Sequence, residues 1–112
     1  PLLPSTIGLV NADAFKKMKK TAVIVNTARG PLINEKDLIK ALDNNEIGGA
    51  GLDVVEIEPL PANSPLIGRD NVILAPHTAF YSVEALEELQ TKAAADVANI
   101  LSGKPAVYPI TG

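Results

Sequence analysis

The chain has 112 residues, of which 46% are hydrophobic and none is cysteine, and its formal net charge is −3. This length suits one domain with an apolar core, and the absence of thiols excludes disulfides, thiolate metal sites and cysteine nucleophiles. The acidic balance argues against a nucleic-acid partner, and no apolar run reaches the ~20 residues that span a bilayer. We therefore expect a protein of a reducing compartment, the cytoplasm.

The chain begins at Pro1, and its one methionine is Met18. A proline in first position does not look like a natural translation start. We therefore expect this sequence to be the carboxyl-terminal part of a longer protein, which the intact mass of the native gene product would test.

The first predicted elements are a helix and a strand. Asn11 is a suitable N-cap for a helix over residues 12–19, whose buried side would carry Phe15 and Met18. Residues 22–25, Ala-Val-Ile-Val, form a short and β-branched run. Such a run is typical of a parallel strand that is buried on both faces.

Arg29 follows this strand in a predicted loop. Asn26 ends the apolar run, and Gly30 with Pro31 prevents the backbone from continuing as strand or helix. In open α/β sheets, ligands bind at the carboxyl ends of the strands. Arg29 is therefore a candidate binding residue, and an ordinary surface arginine in a turn is the alternative.

A second helix and two more strands follow. Asn34 can cap a helix over residues 35–42, and the small residues at 50–54 predict a strand that a neighbour can approach closely. Residues 63–67 suit one short turn of helix, and residues 72–74 predict a third strand. This succession of elements predicts an α/β fold with parallel strands.

The longest predicted helix covers residues 83–102. Ser82 is its expected N-cap, and Gly103 stands where a glycine commonly follows a helix end. We expect the tail at residues 106–110 to be extended. The helix's buried face is predicted from apolar residues that recur at helical spacing, namely Leu86, Leu89, Ala93, Val97 and Ile100.

Charged or titratable side chains follow each predicted strand. Arg29 follows the first strand, Asp53 and Glu58 the second, and His77, the one histidine, the third. Because the carboxyl ends of parallel strands share one edge, we expect these groups to meet there. An imidazole exchanges protons near neutral pH, a carboxylate can fix its tautomer, and a guanidinium holds a carboxylate with two parallel bonds. Of the two acids, Glu58 is the better candidate partner for His77.

Each of these residues also has a structural alternative. His77 could be a structural histidine, Glu58 a solvated loop residue, and Asp53 the cap of a turn. The combination of residue types favours a functional site. A hydrolytic triad is disfavoured because no serine lies in a nucleophile-elbow sequence, and one histidine among scattered acids gives no metal-ligand spacing.

Three segments resemble the signature sequences of the D-isomer-specific 2-hydroxyacid dehydrogenases, in the family's order. They are NTARGPLINEKDLIKAL from Asn26, GGAGLDVVEIEPL from Gly48 and NVILAPHTA from Asn71. The opening segment, PLLPSTIGLVNADAFKKMK, is also similar to the part of the family that precedes them. The resemblance therefore covers nearly the whole chain.

This resemblance implies an oxidoreductase that transfers a hydride between NAD or NADP and a small 2-keto or 2-hydroxy acid. It implies that residues 1–81 are the carboxyl-terminal half of a Rossmann-like parallel sheet with flanking helices, in an NAD(P)-binding domain. Residues 82–112 would be a long helix and tail that return to the substrate-binding lobe. Relatives are usually homodimers, so we expect the same of the full-length protein.

The resemblance also implies roles for individual residues. Arg29 matches the arginine that binds the substrate carboxylate, His77 matches the general acid, and Glu58 matches the acid paired with that histidine. Asp53 matches the carboxylate that hydrogen-bonds the nicotinamide carboxamide. The other residues expected to line the cofactor pocket are Thr27, Ala28, Thr78, Ala79 and Phe80.

The chain lacks the GxGxxG turn and the residue beyond it that distinguishes NAD from NADP, so we expect the 112 residues alone to be inactive. Residues 59–61, Pro-Leu-Pro, and the pair at 80–81, Phe-Tyr, resemble the glycerate dehydrogenase and hydroxypyruvate reductase branch. The alternatives are a co-repressor-like protein of the same fold that senses NAD(H), and a structural remnant that binds nothing.

Overall fold

The computed structural model describes residues 2–109. No helix within that range combines the length and apolar character needed to cross a membrane. The secondary-structure elements are, in chain order, α1 (Ala12–Lys16), β1 (Val23–Asn26), a 3-10 turn (Gly30–Leu32), α2 (Glu35–Asp43), β2 (Gly49–Leu52), β3 (Val72–Leu74) and α3 (Val83–Leu101).

The three strands form one parallel sheet in the order β1-β2-β3. Ile24 of β1 is opposite Ala50 of β2, and Gly51 of β2 is opposite Ile73 of β3. The predicted α/β fold, with parallel strands and flanking helices, is therefore confirmed. Because the strands are parallel, the loops that carry the candidate site residues all leave from one edge of the sheet.

The apolar core lies on one face of this sheet. Phe15 of α1 and Leu38 and Leu42 of α2 are buried there, together with Ala50 and Leu52 of β2. The remaining buried or partly buried side chains packed in this cluster include Ile24, Ile33, Ala41, Ile47, Leu66, Val72 and Leu74. Both helices of this region therefore contribute to the same side of the sheet.

The opposite face of the sheet is exposed. Val23, Val25 and Ile73 leave 65%, 68% and 75% of their surface in contact with solvent. The prediction that the strand at residues 22–25 is buried on both faces is therefore wrong for this structure. The reason is that the side chains of α1 and α2 join the cluster on the other face, as described above.

Several predicted element boundaries also differ. Helix α1 ends at Lys16, with Lys17 as its C-cap, because the chain must turn at residues 17–21 to enter β1. Strand β2 ends at Leu52 rather than at residue 54. Residues 63–67 form hydrogen-bonded turns rather than a turn of helix, with Ile67 N–H donating to the Ser64 carbonyl oxygen.

The chain divides into two compact units between Ala79 and Phe80. The first unit holds the sheet, and the second holds α3 and the tail. The assignment of residues 1–81 to a cofactor lobe and of residues 82–112 to a return toward a substrate lobe stays a prediction.

Helix α3 has the predicted ends but lacks the predicted burial. The Ser82 hydroxyl accepts a hydrogen bond from Ala85 N–H, and Gly103 adopts a φ of 74° just past the helix end. However, no residue of α3 is buried, and the predicted stripe is exposed at Leu89, Val97 and Ile100. Helical spacing identifies the apolar face of a helix, but it does not provide the surface that would cover it.

The tail after α3 bends instead of extending. The Asp96 carboxylate accepts hydrogen bonds from Val107 N–H at 2.7 Å and from Tyr108 N–H at 3.0 Å. These bonds hold the tail against the last turns of α3. Residue 110, the end of the predicted extended segment, lies outside the described residues.

Candidate active site

Asp53 organises the loop that carries the histidine. Its side chain directly follows β2 and is buried, with 7% of the residue exposed. The carboxylate accepts hydrogen bonds from Thr78 N–H at 2.7 Å and from Ala79 N–H at 3.0 Å. The Asp53 carbonyl oxygen accepts a third bond, from His77 N–H, at 2.9 Å. Asp53 therefore fixes the backbone on both sides of the imidazole.

His77 and Glu58 form the pair that the sequence predicts. The His77 Nδ1 atom lies 2.8 Å from the Glu58 Oε2 atom, and His77 has a φ of 57°, in the left-handed region. Because an ionised carboxylate can only accept, we assign the proton of this bond to Nδ1. The bond therefore fixes which nitrogen of the ring faces the acid.

The pKa of Glu58 lies below its ordinary value of 4.5. The main cause is the hydrogen bond with His77, and the second is the bond that Glu58 accepts from Val55 N–H at 3.2 Å. Partial desolvation and the negative charge of Asp53 act in the opposite direction. The carboxylate is therefore ionised at neutral pH and is suited to hold an imidazole.

Arg29 lies in the loop after β1, and its side chain is exposed. Its Nη1 atom donates a hydrogen bond to the Ala28 carbonyl oxygen at 2.7 Å. The next residue, Gly30, packs so closely on the neighbouring loop that a Cβ atom there would overlap the Val55 carbonyl oxygen. A glycine is therefore required where the arginine loop meets the loop that leads to Glu58.

Within residues 2–109, two of the concave surfaces along this edge are lined by predicted site residues. The first is a cavity of about 140 Å³ whose polar walls are Asp53, Glu58 and His77. Its apolar walls are Val55, Pro59, Leu60, Leu74, Ala75 and Pro76. The second is a more open concavity of about 240 Å³, lined by Thr27, Asp53, Thr78, Ala79, Val25, Gly51, Leu52, Ile73 and Ala75.

The structure thus brings together most of the predicted site residues. Glu58 and His77 are paired beside Asp53, and Thr27, Thr78 and Ala79 line one concavity with that aspartate. Arg29 and Ala28 lie in the loop after β1, two strand positions from the loop after β3, which corresponds to about 10 Å. The convergence of the guanidinium on His77 stays a prediction. Phe80 belongs to the second compact unit, so its predicted role also stays untested.

Three structural residues of this edge were not among the predicted site residues. Asn26 is buried and its side-chain amide bonds to the backbone of the Arg29 loop. Two hydrogen bonds join Glu35 and Glu56. The Glu56 carboxylate accepts from Glu35 N–H at 2.9 Å, and the Glu35 carboxylate accepts from Glu56 N–H at 3.3 Å. A polar residue that ends an apolar run was the available signal for Asn26. Nothing in the sequence pairs two glutamates 21 positions apart.

The parallel sheet with polar side chains at its carboxyl edge is the architecture of a Rossmann-like nucleotide-binding domain. Residues 1–79 match the family model described as the D-isomer specific 2-hydroxyacid dehydrogenase, NAD binding domain. The chain belongs to this family, and the family resemblance expected from the three sequence segments is confirmed.

Individual relatives carry more specific names. The chain is 47% identical over 104 residues to a glyoxylate reductase of Thermofilum pendens, covering 93% of the chain and 31% of that relative. It is 41% identical over 105 residues to a hydroxypyruvate reductase of Blautia hydrogenotrophica, covering 94% and 33%. Among solved structures, the NADPH-dependent glyoxylate/hydroxypyruvate reductase SmGhrB of Sinorhizobium meliloti, in complex with NADP and malonate, superposes with a TM-score of 0.92 and 34% identity, covering 99% of the chain and 34% of that protein.

The chain spans about a third of the length of these relatives. Their activities are therefore properties of longer proteins. What the 112 residues contribute is the part of the domain that holds the histidine, the paired acid and the arginine.

Proposed function

We propose that the protein carrying this chain is an oxidoreductase that transfers a hydride between NAD or NADP and a small 2-keto or 2-hydroxy acid. Glyoxylate and hydroxypyruvate are the proposed keto acids, because the named relatives are reductases of these compounds. The single observation that carries the proposal is the 2.8 Å His77–Glu58 bond beside an aspartate that anchors the adjacent backbone. Such a pair is suited to proton transfer on a carbonyl oxygen.

The proposed role of His77 is to protonate the keto oxygen during reduction and to take the proton back during oxidation. With Nδ1 bonded to Glu58, Nε2 is the nitrogen that would exchange the proton with the substrate. Glu58 stabilises the imidazolium that forms when the ring holds both protons. These two residues thus supply the acid–base half of the reaction.

Arg29 is proposed to bind the substrate carboxylate. A guanidinium holds a carboxylate with two parallel, charge-assisted hydrogen bonds, which fixes the orientation of a small acid. The exposed side chain at the carboxyl edge of the sheet agrees with this role. A substrate acid held in one orientation would present one face of its keto carbon to the hydride donor.

The more open concavity suits a nicotinamide ring and its carboxamide. Apolar side chains in its lining, among them Val25 and Ile73, can pack on a flat ring, while the Asp53 carboxylate is an acceptor for an amide N–H. The residues proposed to hold this group are Thr27, Ala28, Asp53, Thr78, Ala79 and Phe80. The bound cofactor supplies the hydride, and the protein supplies orientation and the proton.

Three further properties belong to the same proposal. The cofactor is NAD or NADP. The residue that distinguishes the two follows the GxGxxG turn, which these 112 residues do not contain. The full-length protein is a homodimer located in the cytoplasm, and its partner is a small acid rather than a nucleic acid or a membrane. The sensing alternative, in which NAD(H) is bound without turnover, is not favoured because the named relatives are reductases.

The test is reduction of glyoxylate and hydroxypyruvate by the native gene product, followed as oxidation of NADH or NADPH. We expect His77→Asn to lower kcat by roughly 10²- to 10⁴-fold, since it removes the general acid. Arg29→Ala should raise KM for the keto acid by roughly tenfold to a hundredfold through loss of charged hydrogen bonds. The control is Glu87→Gln, an exposed acid on α3, which should leave both constants unchanged.

Two results would contradict the proposal. The first is binding of NADH without oxidation of it by any of these keto acids, which would favour a sensor. The second is unchanged kinetics in the His77→Asn and Arg29→Ala variants, which would show that the reaction takes place elsewhere in the protein.

A further inference from the structure

Asn26 holds the backbone on both sides of Arg29. Its residue is 6% exposed, and both polar atoms of its side chain are used. The Oδ1 atom accepts a hydrogen bond from Ala28 N–H at 3.0 Å, and the Nδ2 atom donates one to the Arg29 carbonyl oxygen at 2.9 Å. The backbone of the loop that carries the guanidinium is therefore hydrogen-bonded to a buried side chain.

The same residue joins this loop to the neighbouring strand. The Asn26 carbonyl oxygen accepts a hydrogen bond from Asp53 N–H at 3.0 Å, and Asp53 in turn anchors the backbone after His77. One step further along the chain, Gly30 packs directly on the Val55 carbonyl group. Asn26 thus links the arginine loop to the loops that carry the acid–base pair.

We propose that Asn26 is a positioning residue, which sets the place of Arg29 relative to His77 for binding a substrate carboxylate. This inference rests on the proposed function of Arg29. A long arginine side chain loses rotational freedom when it binds a ligand. A backbone that is already fixed lowers the total conformational entropy that binding must remove. Without the two hydrogen bonds of the Asn26 side chain, the guanidinium is still present, but the backbone that carries it is no longer fixed.

The decisive comparison is Asn26→Ala against Asn34→Ala in the native gene product. Asn34 is a matched control, because its side chain also caps backbone, accepting from Asp37 N–H at 3.0 Å at the start of α2. We expect Asn26→Ala to raise KM for glyoxylate about tenfold. KM for the nicotinamide cofactor should rise less, because Ala28 lies in the same loop but keeps its main-chain groups. Asn34→Ala should change neither KM.

A double variant separates positioning from general damage. If Asn26 acts through Arg29, adding Asn26→Ala to Arg29→Ala should raise KM for glyoxylate no further, because the group it positions is already gone. Asn26→Ser, which keeps a small polar group, provides the same comparison if the alanine variant does not fold. A full, additive effect of either variant in the Arg29→Ala background would overturn the proposal.

Hydrogen exchange gives a readout that does not depend on turnover. The Ala28 amide should exchange faster in Asn26→Ala and should be unaffected in Asn34→Ala, because only Asn26→Ala removes its acceptor. Unchanged exchange of this amide would overturn the inference. A wild-type protein without reductase activity would instead overturn the proposed function, and the exchange measurement would still decide whether Asn26 holds the loop.

Discussion

The two faces of the sheet differ although the strands are apolar on both. On one face, Phe15 and Leu38 are fully covered. On the other face, Val23, Val25 and Ile73 each leave about two thirds or more of their surface exposed. An apolar strand is therefore suited to burial on both faces, but helices that pack on one face of the sheet do not bury the other.

The largest effect should come from the covered face. Phe15 is fully buried where α1 packs on α2 and β2. We expect Phe15→Ala to lower the free energy of unfolding by about 3 to 5 kcal/mol, because it removes apolar contacts and leaves a cavity. Denaturant unfolding of the chain would measure it. If Phe15→Ala lowered the free energy of unfolding by no more than a substitution at an exposed position does, this face would not be the core.

The exposed face should respond much less. We expect Ile73→Thr to change the free energy of unfolding of the 112-residue chain by only about 0.5 kcal/mol, as substitutions at exposed positions usually do. It should also reduce binding of an apolar fluorescent dye, because it removes exposed apolar surface. A cost close to that of Phe15→Ala would mean that another segment or molecule covers this face in solution.

The smallest effect concerns the edge where both faces end. The pKa of Glu58 is lowered mainly by its bond with His77, so His77→Ala should raise it toward 4.5. Because the pKa is lowered in the folded state, the stabilising effect is complete above pH 4.5 and is lost as pH falls through the lowered pKa.

Carboxyl ¹³C NMR would follow this titration. Glu84 is the internal control, since its pKa is lowered mainly by its own backbone N–H and by Ser82. It should titrate at the same pH in wild type and variant. A Glu58 titration that does not move in His77→Ala would contradict the pairing.

The sequence predicted the order of elements well because the signals were local. The Asn34 cap, the Ser82 cap and the glycine at 103 each act within a few residues, and all three are present. Burial was predicted less well, because it depends on what else packs against an element. The stripe on α3 and one face of β1 are apolar, as the sequence shows, but among residues 2–109 nothing buries them, so the predicted burial of both is wrong.

The site divides in the same way. The pairing of Glu58 with His77 followed from parallel strands and the chemistry of two residue types, and it is present at 2.8 Å. The residues that hold the loops in place could not be found by such reasoning. Asn26 looks like any polar residue at the end of a strand, and the bonds between Glu35 and Glu56 depend on the three-dimensional path of two separate loops.

The contact between Gly30 and Val55 limits how this protein can change. Every other amino acid would place a Cβ atom in overlap with the main-chain carbonyl group of Val55. A new residue at this position would therefore force apart the loop that carries Arg29 and the loop that leads to Glu58. Substitutions at this edge should accordingly begin at side chains that line the cavity, such as Leu60, and leave this glycine untouched.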